Sequence, residues 1–411
     1  MGLSGNDRAI ARFTMAGHAT VHWFETAIPI FLVVWLGTFD VTLAVLGLVV
    51  AVGYAPFGLG ALPAGVLTDR FGPRRLVVVC LLGMSAGFFV LALASSLVLV
   101  AAGLFVWGVA ASIYHPAGLA LISTGVDDRG TVFAWHGIAG NVGLALGPFV
   151  AATLLAFLEW QTVAALLAIP GVLAALYGVT LAFDPVAAVD RTETRSIESL
   201  SLAGFRATTR TLFASVFALV FVIVTVEGLF YRGAITYLPE VLHGLPAVAA
   251  LDLPSELEGI EAADYIYVGF LVVGMAGQYV GGKLTNRIRP SAGLSVLFAG
   301  LAACALAFVP VTRLGATAVV ALSGVLGFLL FAIQPFYQNA VAVFTPPDAR
   351  GLSYGYTYLG EFGIGAASVA VGGFLLGSVS VAAFFAMLAA LGVLGGALSV
   401  VLARVSGTTS G

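Results

Sequence analysis

Charge is scarce in this 411-residue chain, which has only 9% charged residues and a single lysine, Lys283. Soluble domains carry about 25% charged residues, so this chain cannot cover a water-exposed surface of its size. Hydrophobic residues make up 60% of the sequence and lie in long uninterrupted runs. Such runs favour membrane-spanning helices over a β-barrel, whose strands alternate polar and apolar residues. No tract of basic residues is present, so nothing in the sequence indicates a nucleic-acid partner.

Cysteine is nearly absent as well. The two cysteines, Cys80 and Cys304, both lie within apolar runs. Their spacing indicates neither a disulfide framework nor a metal-binding pair. The sequence therefore predicts no cofactor and no bound metal.

The apolar runs predict twelve membrane-spanning helices, each close to the ~20 residues that a spanning helix requires. In chain order the predicted spans cover residues 10–36, 41–63, 76–96, 98–122, 132–157, 160–183, 210–238, 264–284, 291–309, 314–343, 352–376 and 379–403. One long polar stretch separates the sixth span from the seventh. We therefore predict an all-α membrane protein with two six-helix bundles, residues 1–183 and 210–411, joined by a cytoplasmic linker at 184–209.

The basic residues are distributed unevenly across the predicted membrane. Fifteen of the seventeen fall on one side, and the exceptions are Arg232 and Arg313. The largest loop on the other side, residues 239–263, has five acidic residues and no lysine or arginine. Because short cytoplasmic loops collect Lys and Arg, we expect both termini in the cytoplasm of a multi-pass plasma-membrane protein.

A short loop between the second and third predicted spans concentrates charge and glycine. It has the pattern Gly-x-x-x-Asp-Arg-x-Gly-x-Arg-Arg, formed by Gly65, Asp69, Arg70, Gly72, Arg74 and Arg75. A partial copy begins at Gly282, at the end of the eighth span and 217 residues later (282 − 65).

Two further pairs of residues repeat at nearly the same offset. His115 and Gln334, each followed by proline, are 219 residues apart (334 − 115), and Arg129 and Arg350 are 221 apart (350 − 129). The steady offset predicts two pseudo-symmetric six-helix halves. Parallel repeats of this kind place a transport site near the bilayer midplane, between the halves.

The glycine-and-arginine loop resembles the loop between helices 2 and 3 of the major facilitator superfamily, whose members are twelve-helix secondary transporters. The resemblance extends over nearly the whole chain and implies that helices 1, 4, 7 and 10 line a central cavity. It also implies that Asp69 and the nearby arginines latch the cytoplasmic side when the protein faces outward. Asn286 replaces the acid in the second copy, so we expect a charged latch only in the first half.

Three ionisable residues form a stripe in the first predicted span: His18, His22 and Glu25, at positions i, i+4 and i+7. At about 100° per residue they fall within an arc of about 60°. An ionisable group facing lipid costs on the order of 3 kcal/mol or more, so we expect this stripe to face a water-filled cavity. We predict that Glu25 carries a coupled proton and that the two histidines tune it. Two alternatives stay open: hydrogen bonding that only joins helices, and a His-x-x-x-His metal site with Glu25.

Further polar residues lie in the fourth and fifth spans. His115 in the fourth span and His136 in the fifth are expected at a depth similar to that of His18, and Asn141 follows in the fifth span. For His136, whose position is near the start of its span, an interfacial or capping role is the alternative.

The fifth span continues with Gly143, Gly147 and Pro148 in the pattern Gly-x-x-x-Gly-Pro. Small residues at this spacing let two helices pack closely, and Pro148 removes one backbone hydrogen bond. The pattern resembles the helix 5 motif of the superfamily's drug–proton antiporters, although Ala151 and Ala152 stand where that motif usually has glycines. The His-Pro of the fourth span and the polar first span resemble the fosmidomycin-resistance-like branch. These resemblances imply export.

The second half also carries intramembrane polar residues. Glu227 and Arg232 lie in the seventh span, five residues and about 140° apart. We expect that they cannot both point at one neighbour, so that one faces the cavity and the other pairs across a helix interface. Gln334 and Gln338 share a face of the tenth span, and Glu361 lies inside the eleventh. Glu227 and Glu361 are rivals of Glu25 as the proton carrier.

Together these features predict a secondary transporter that exports a small organic solute in exchange for protons by alternating access. Its partners are expected to be the solute, protons and the lipid bilayer, and the protein is expected to be a monomer. An uptake symporter on the same scaffold is the first alternative. A membrane-embedded metal-dependent enzyme using His18 and His22 is the second, although no His-Glu-x-x-His motif occurs. A transport-inactive receptor is the third.

Overall fold

The computed structural model describes residues 3–188, 202–251, 261–285, 287–345 and 350–408, except for a few side chains within these ranges, Asp69 and Arg129 among them. Across the described ranges every regular element is a helix. Eleven helical segments of the described residues, two of them made of consecutive helices, are long and apolar enough to span a membrane, and a bent pair brings the number to twelve. The predicted all-α membrane class is therefore confirmed.

The first half follows the predicted spans closely, but the second and fourth spans are each divided into two helices. The helices are α1 (Gly5–Phe39), α2 (Leu43–Leu59), α3 (Ala61–Phe71), α4 (Pro73–Ala92), α5 (Leu97–Ala111), α6 (Tyr114–Gly125), α7 (Arg129–Leu155) and α8 (Trp160–Thr180). Most of the stretch predicted as a loop at residues 65–75 is helical, because α3 continues to Phe71 and α4 begins at Pro73.

Prolines account for both divisions. The α2–α3 pair is bent by 42° at Gly60, because Pro63 has no N–H to donate to the carbonyl of Leu59. In the same way Pro116 has no N–H for the carbonyl of Ser112, the residue that directly follows α5. The fourth span therefore has a break one turn before His115, which places that side chain at the start of α6.

The second half contains two extra short helices, Leu202–Phe213 and Pro246–Ala249, and one irregular span. Its elements are α9 (Leu202–Phe213), α10 (Phe217–His243), α11 (Pro246–Ala249), α12 (Ala262–Leu284), α13 (Pro290–Thr312), α14 (Ala316–Phe344), α15 (Arg350–Tyr358), a π-helical turn (Leu359–Ile364), α16 (Ala367–Ser378) and α17 (Val381–Thr408). The predicted seventh span began too early, because residues 210–213 belong to α9, a short separate helix that carries Arg206 and Arg210.

The described residues divide into two compact units. The first contains Met1–Ile28 and Val52–Arg206, and the second contains Pro29–Ala51 and Ala207–Gly411. The stretch Pro29–Ala51 thus groups with the second unit, whereas the predicted bundles assigned it to the first. Residues 189–201 of the predicted linker and 252–260 of the acidic loop lie outside the described residues, so the linker stays a prediction.

Candidate functional site

Helix α1 brings its three ionisable residues into contact along one face. The Nδ1 atom of His22 lies 2.6 Å from Oε2 of Glu25, and their side chains are 11% and 1% exposed. We expected all three residues to be open to a cavity, but Glu25 is buried, while His18 and His22 are half-buried. The Glu25 carboxylate turns back along α1 to His22, and the Tyr54 hydroxyl of α2 donates to the backbone carbonyl of Glu25 at 2.9 Å.

The contact between Glu25 and His22 continues into a chain of three hydrogen bonds. The Nε2 atom of His22 lies 3.1 Å from Nε2 of His18. The Nδ1 atom of His18 lies 2.7 Å from the backbone carbonyl of His136 in α7. The chain therefore joins a buried carboxylate on α1 to the backbone of α7 through two imidazole rings.

The hydrogen bonds of this chain determine how many protons it holds. A carbonyl oxygen only accepts, so His18 donates its Nδ1 proton to His136 and offers a lone pair at Nε2. The Nε2–Nε2 contact and the contact between His22 and Glu25 each need one further proton. Three contacts thus require three protons, whereas an ionised Glu25 with two neutral histidines has only two. A conformation in which all three contacts are hydrogen bonds would therefore need one extra proton among Glu25, His22 and His18.

Two more histidines and a tyrosine surround this chain. The His18 ring stacks on His136 with centroids 3.8 Å apart, and the His115 ring lies 5.4 Å away. The Tyr114 hydroxyl donates to the backbone carbonyl of Thr14 and lies 3.2 Å from Nε2 of His136. Tyr114 was not among the residues predicted from the sequence. Its position beside His115, at the start of the broken fourth span, was the available signal.

His18, His22 and His115 also offer ring nitrogens that all lie within 4.8 Å of one another. This spacing gives the metal alternative a geometric basis. The three protons counted above nevertheless satisfy the His18 and His22 nitrogens without an ion. These contacts therefore favour protons over a metal ion at this cluster.

A stripe of glycines on α7 sets the distance between α7 and α1. A Cβ atom at Gly140 would overlap the ring of His18, and at Gly143 and Gly147 it would overlap the backbone carbonyls of Ala19 and Trp23. The small residues of the predicted antiporter-like motif thus let α7 contact the backbone of α1 directly. Gly140, which precedes the Gly-x-x-x-Gly-Pro motif, continues the stripe towards the N-terminus of α7.

The remaining residues predicted on α7 lie close to this interface. Asn141 is half-buried one turn after His136, and Pro148 is buried inside the helix. The hydroxyl of Thr26 on α1 donates to the backbone carbonyl of Leu144 at 3.0 Å. Together these contacts fix α1 and α7 in register over the length of the polar stripe.

In the second unit, Glu227 and Arg232 both face the π-helical turn. Glu227 lies within electrostatic range of Glu361 and Arg232, and the Arg232 guanidinium lies 4.4 Å from the ring centroid of Phe362. The expectation that the two residues cannot reach one neighbour was wrong. The arginine side chain is long enough to cross the angle between them, and the widened turn presents Glu361 and Phe362 together.

The predicted glutamines of α14 differ in their surroundings. Gln334 is half-buried, and the Nε2 of Gln278 in α12 donates to its Oε1 at 3.4 Å. Gln338, one turn further on, is exposed.

The predicted latch surrounds a sharp turn between α3 and α4. Gly72 has φ +84°, a conformation that residues with a Cβ rarely adopt, and Pro73 begins α4. Arg74 points its Nη2 at the carbonyls that end α8, with distances of 2.5–3.1 Å to Gly178, Val179 and Leu181. Its positive charge therefore lies at the negative end of the α8 dipole.

Of the other latch residues, Arg70 and Arg75 are exposed. A Cβ atom at Gly65 would meet no atom of the described residues within 4 Å. The side chain of Asp69 lies outside the described residues, and so does Asn286 of the second copy. The predicted role of Asp69 as a latch stays a prediction.

Apolar spans with ionisable groups buried inside them define an integral membrane protein of the transporter class. The family profile of the Major Facilitator Superfamily matches residues 14–368. The chain belongs to the Major Facilitator Superfamily, and this membership points to a transporter and not to an enzyme.

Similar proteins agree with this assignment. A curated relative from Mycolicibacterium smegmatis, named as a triacylglyceride transporter, is 34% identical over 115 residues. That match covers 27% of this chain, which spans only 20% of the relative's length.

Solved structures show the same fold at low sequence identity. A crystal structure of the nucleoside transporter NupG has a TM-score of 0.76 at 15% identity, covering 96% of this chain and 99% of that one. A crystal structure of the D-xylose-proton symporter has a TM-score of 0.71 at 16% identity, covering 96% and 97%. At these identities the likeness concerns the fold alone.

Proposed function

We propose that this transporter exports a small organic solute in exchange for protons by alternating access, in the manner of the antiporters that its α7 motif resembles. The observation that carries the proposal is the chain from Glu25 through His22 to His18, whose three contacts require one extra proton. A buried group that must be loaded with a proton in one conformation is what a proton-coupled carrier needs.

Loss of the extra proton would destabilise this arrangement in two places. Two nitrogen lone pairs would face each other across the 3.1 Å between His18 and His22. If the proton left from Glu25, a charged carboxylate with 1% exposure would also remain among apolar helices. Either outcome favours a conformation in which α1 opens this site to water. Proton release is thereby coupled to a conformational change at α1.

The remaining parts of the proposal concern the membrane, the oligomeric state and the orientation of the chain. We assign the transporter to the plasma membrane as a monomer, with both termini in the cytoplasm and bundles at residues 1–183 and 210–411. The support is the bias of arginine towards one side of the predicted spans. Green fluorescent protein and alkaline phosphatase fused to the C-terminus test the orientation, because only the first is active in the cytoplasm.

The test is substrate-dependent proton movement in proteoliposomes under an imposed pH gradient. The compound panel begins with triacylglycerides, because the M. smegmatis relative carries that name, and continues through small polar and amphipathic solutes. An exchanger accumulates the solute on the acidic side of the membrane, whereas a symporter accumulates it on the alkaline side. Proton movement that no compound alters would contradict proton coupling.

The same assay with a metal chelator distinguishes proton coupling from dependence on a metal ion. If His18, His22 and His115 served a metal, EDTA in both compartments would abolish transport and zinc would restore it. We expect EDTA to leave the proton flux unchanged.

A further inference from the structure

A second buried group of charges lies in the unit that contains α10. Glu227 and Arg232 of α10 are both 0% exposed, and Glu361 of the π-helical turn is 3% exposed. The proposed function makes no use of them. They are the charged residues at the contact between α10 and the π-helical turn.

Close backbone packing brings the two carboxylates together. A Cβ atom at Gly228 would overlap the backbone of Glu361, so α10 touches the π-helical turn directly at the residue after Glu227. On the other side of the contact, a Cβ atom at Gly360 would lie 2.6 Å from the hydroxyl of Thr225. The separation of Glu227 and Glu361 is therefore set by glycines and not by flexible side chains.

The neighbours of the two carboxylates differ. Glu361 is hydrogen-bonded to the hydroxyl of Tyr337 on α14, which can donate to a carboxylate. Neither oxygen of Glu227 accepts a hydrogen bond from a residue that the structure describes. Tyr358 of α15 also lies within electrostatic range of Glu361. Glu361 thus has the surroundings of an ionised carboxylate, and Glu227 has those of a neutral acid.

The charges of the group do not balance if both carboxyls are ionised. Arginine stays protonated in proteins, so Arg232 supplies one positive charge against two negative ones. A net charge buried out of contact with water is strongly unfavourable. One bound proton makes the group neutral, and the hydrogen bonds place it on Glu227.

We infer that Glu227, with Glu361 and Arg232, is a second proton-binding site whose proton is transported together with that of the Glu25 chain. The wild-type protein then moves two protons for each solute, an inference that rests on the proposed proton-coupled transport. Glu227 retains its proton while the π-helical turn holds Glu361 beside it. Separation of that turn from α10 removes the neighbouring negative charge and lets Glu227 ionise.

The experiment measures the solute gradient that a pH gradient of one unit holds at zero net flux, in proteoliposomes clamped at zero membrane potential. For a neutral solute, two coupled protons balance about a hundredfold solute gradient and one proton about a tenfold gradient. We expect a hundredfold gradient for wild type and a tenfold gradient for Glu227→Gln, because the amide mimics the neutral acid without releasing a proton. The matched control is Glu240→Gln, at the end of the same helix, which should retain the hundredfold gradient.

The two proposals fail in different ways. A tenfold gradient in wild type and in Glu227→Gln, abolished by Glu25→Gln, would overturn the second site and leave the proposed function intact. A gradient that Glu25→Gln leaves unchanged would instead contradict the role of the Glu25 chain.

Infrared spectroscopy of the purified protein adds a readout that does not depend on transport. The carbonyl band of a protonated carboxylic acid should lose intensity in Glu227→Gln and keep it in Glu240→Gln. An unchanged band in Glu227→Gln would show that Glu227 is ionised in this conformation and would overturn the inference.

Discussion

The Nε2 atoms of His18 and His22 face each other at 3.1 Å. The Nδ1 atom of His18 contacts the backbone carbonyl of His136, and the Nδ1 atom of His22 contacts the carboxylate of Glu25. Two imidazoles in this arrangement make a stable contact only when a proton lies between them. The pair is thus the point at which the charge state of α1 and its packing against α7 depend on each other.

We predict that one of these two facing nitrogens is protonated at the pH at which the described conformation is stable. Nitrogen-15 NMR of histidine-labelled protein distinguishes protonated from unprotonated ring nitrogens, and His18→Ala and His22→Ala assign the signals. His18 should be protonated at Nδ1. Spectra in which both Nε2 atoms are unprotonated would contradict the proton count.

Glu25→Gln should remove one proton from the coupling ratio while solute exchange down its own gradient continues. The amide can donate to Nδ1 of His22 as a protonated carboxyl does, so the variant should fold and resemble the loaded state. The measurement is the solute gradient held by a fixed pH gradient, beside solute-exchange rates. Glu25→Asp, which can still titrate, serves as the control and should retain the wild-type ratio.

Gly143→Ala should destabilise the protein by about 1–3 kcal/mol, the usual cost of overpacking. The added methyl group would overlap the backbone carbonyl of Ala19, which cannot move independently of α1. Gly137→Ala is the matched control on the same helix, because a Cβ atom there meets no described atom within 4 Å. Thermal unfolding in detergent measures both, and equal melting temperatures would refute the close α1–α7 contact.

Arg74→Ala should lower stability by about 1–2 kcal/mol, because the guanidinium lies at the carbonyl end of α8. Arg75→Ala removes a neighbouring, exposed arginine and should change the melting temperature little. High salt should reduce the difference, since it screens charges near the surface. If both variants melted alike, the contact of Arg74 with α8 would have no energetic role.

Asp69→Asn should slow transport and leave expression and membrane insertion intact. The arginines around the turn between α3 and α4 suffice for orientation, so a lone acid among them has another role to fill. The measurement is the transport rate divided by the amount of folded protein, which size-exclusion chromatography gives. Asp69→Glu is the control that keeps the charge. Wild-type rates in Asp69→Asn would remove the latch from the mechanism.

Much of the fold could be predicted because hydropathy is a property of consecutive residues. Apolar runs of spanning length identified the helices, and the bounds of α8 and α12, for example, differ from prediction by only a few residues. The short α9 was missed, since its Leu and Phe residues extend the apolar run of α10. The bend at Gly60 was missed as well, because a proline in an apolar run does not by itself say how far a helix turns.

The site depended on contacts that no local pattern contains. Spacing along α1 placed His18, His22 and Glu25 on one face, but the carbonyl that orients His18 belongs to His136, 118 residues away. The angle between Glu227 and Arg232 led to a wrong expectation, since it ignored the reach of arginine and the π-helical turn. The sequence by itself determined which residues enter the membrane and on which helices they lie. Only tertiary packing, through glycines that let backbones touch, decided which of them contact one another.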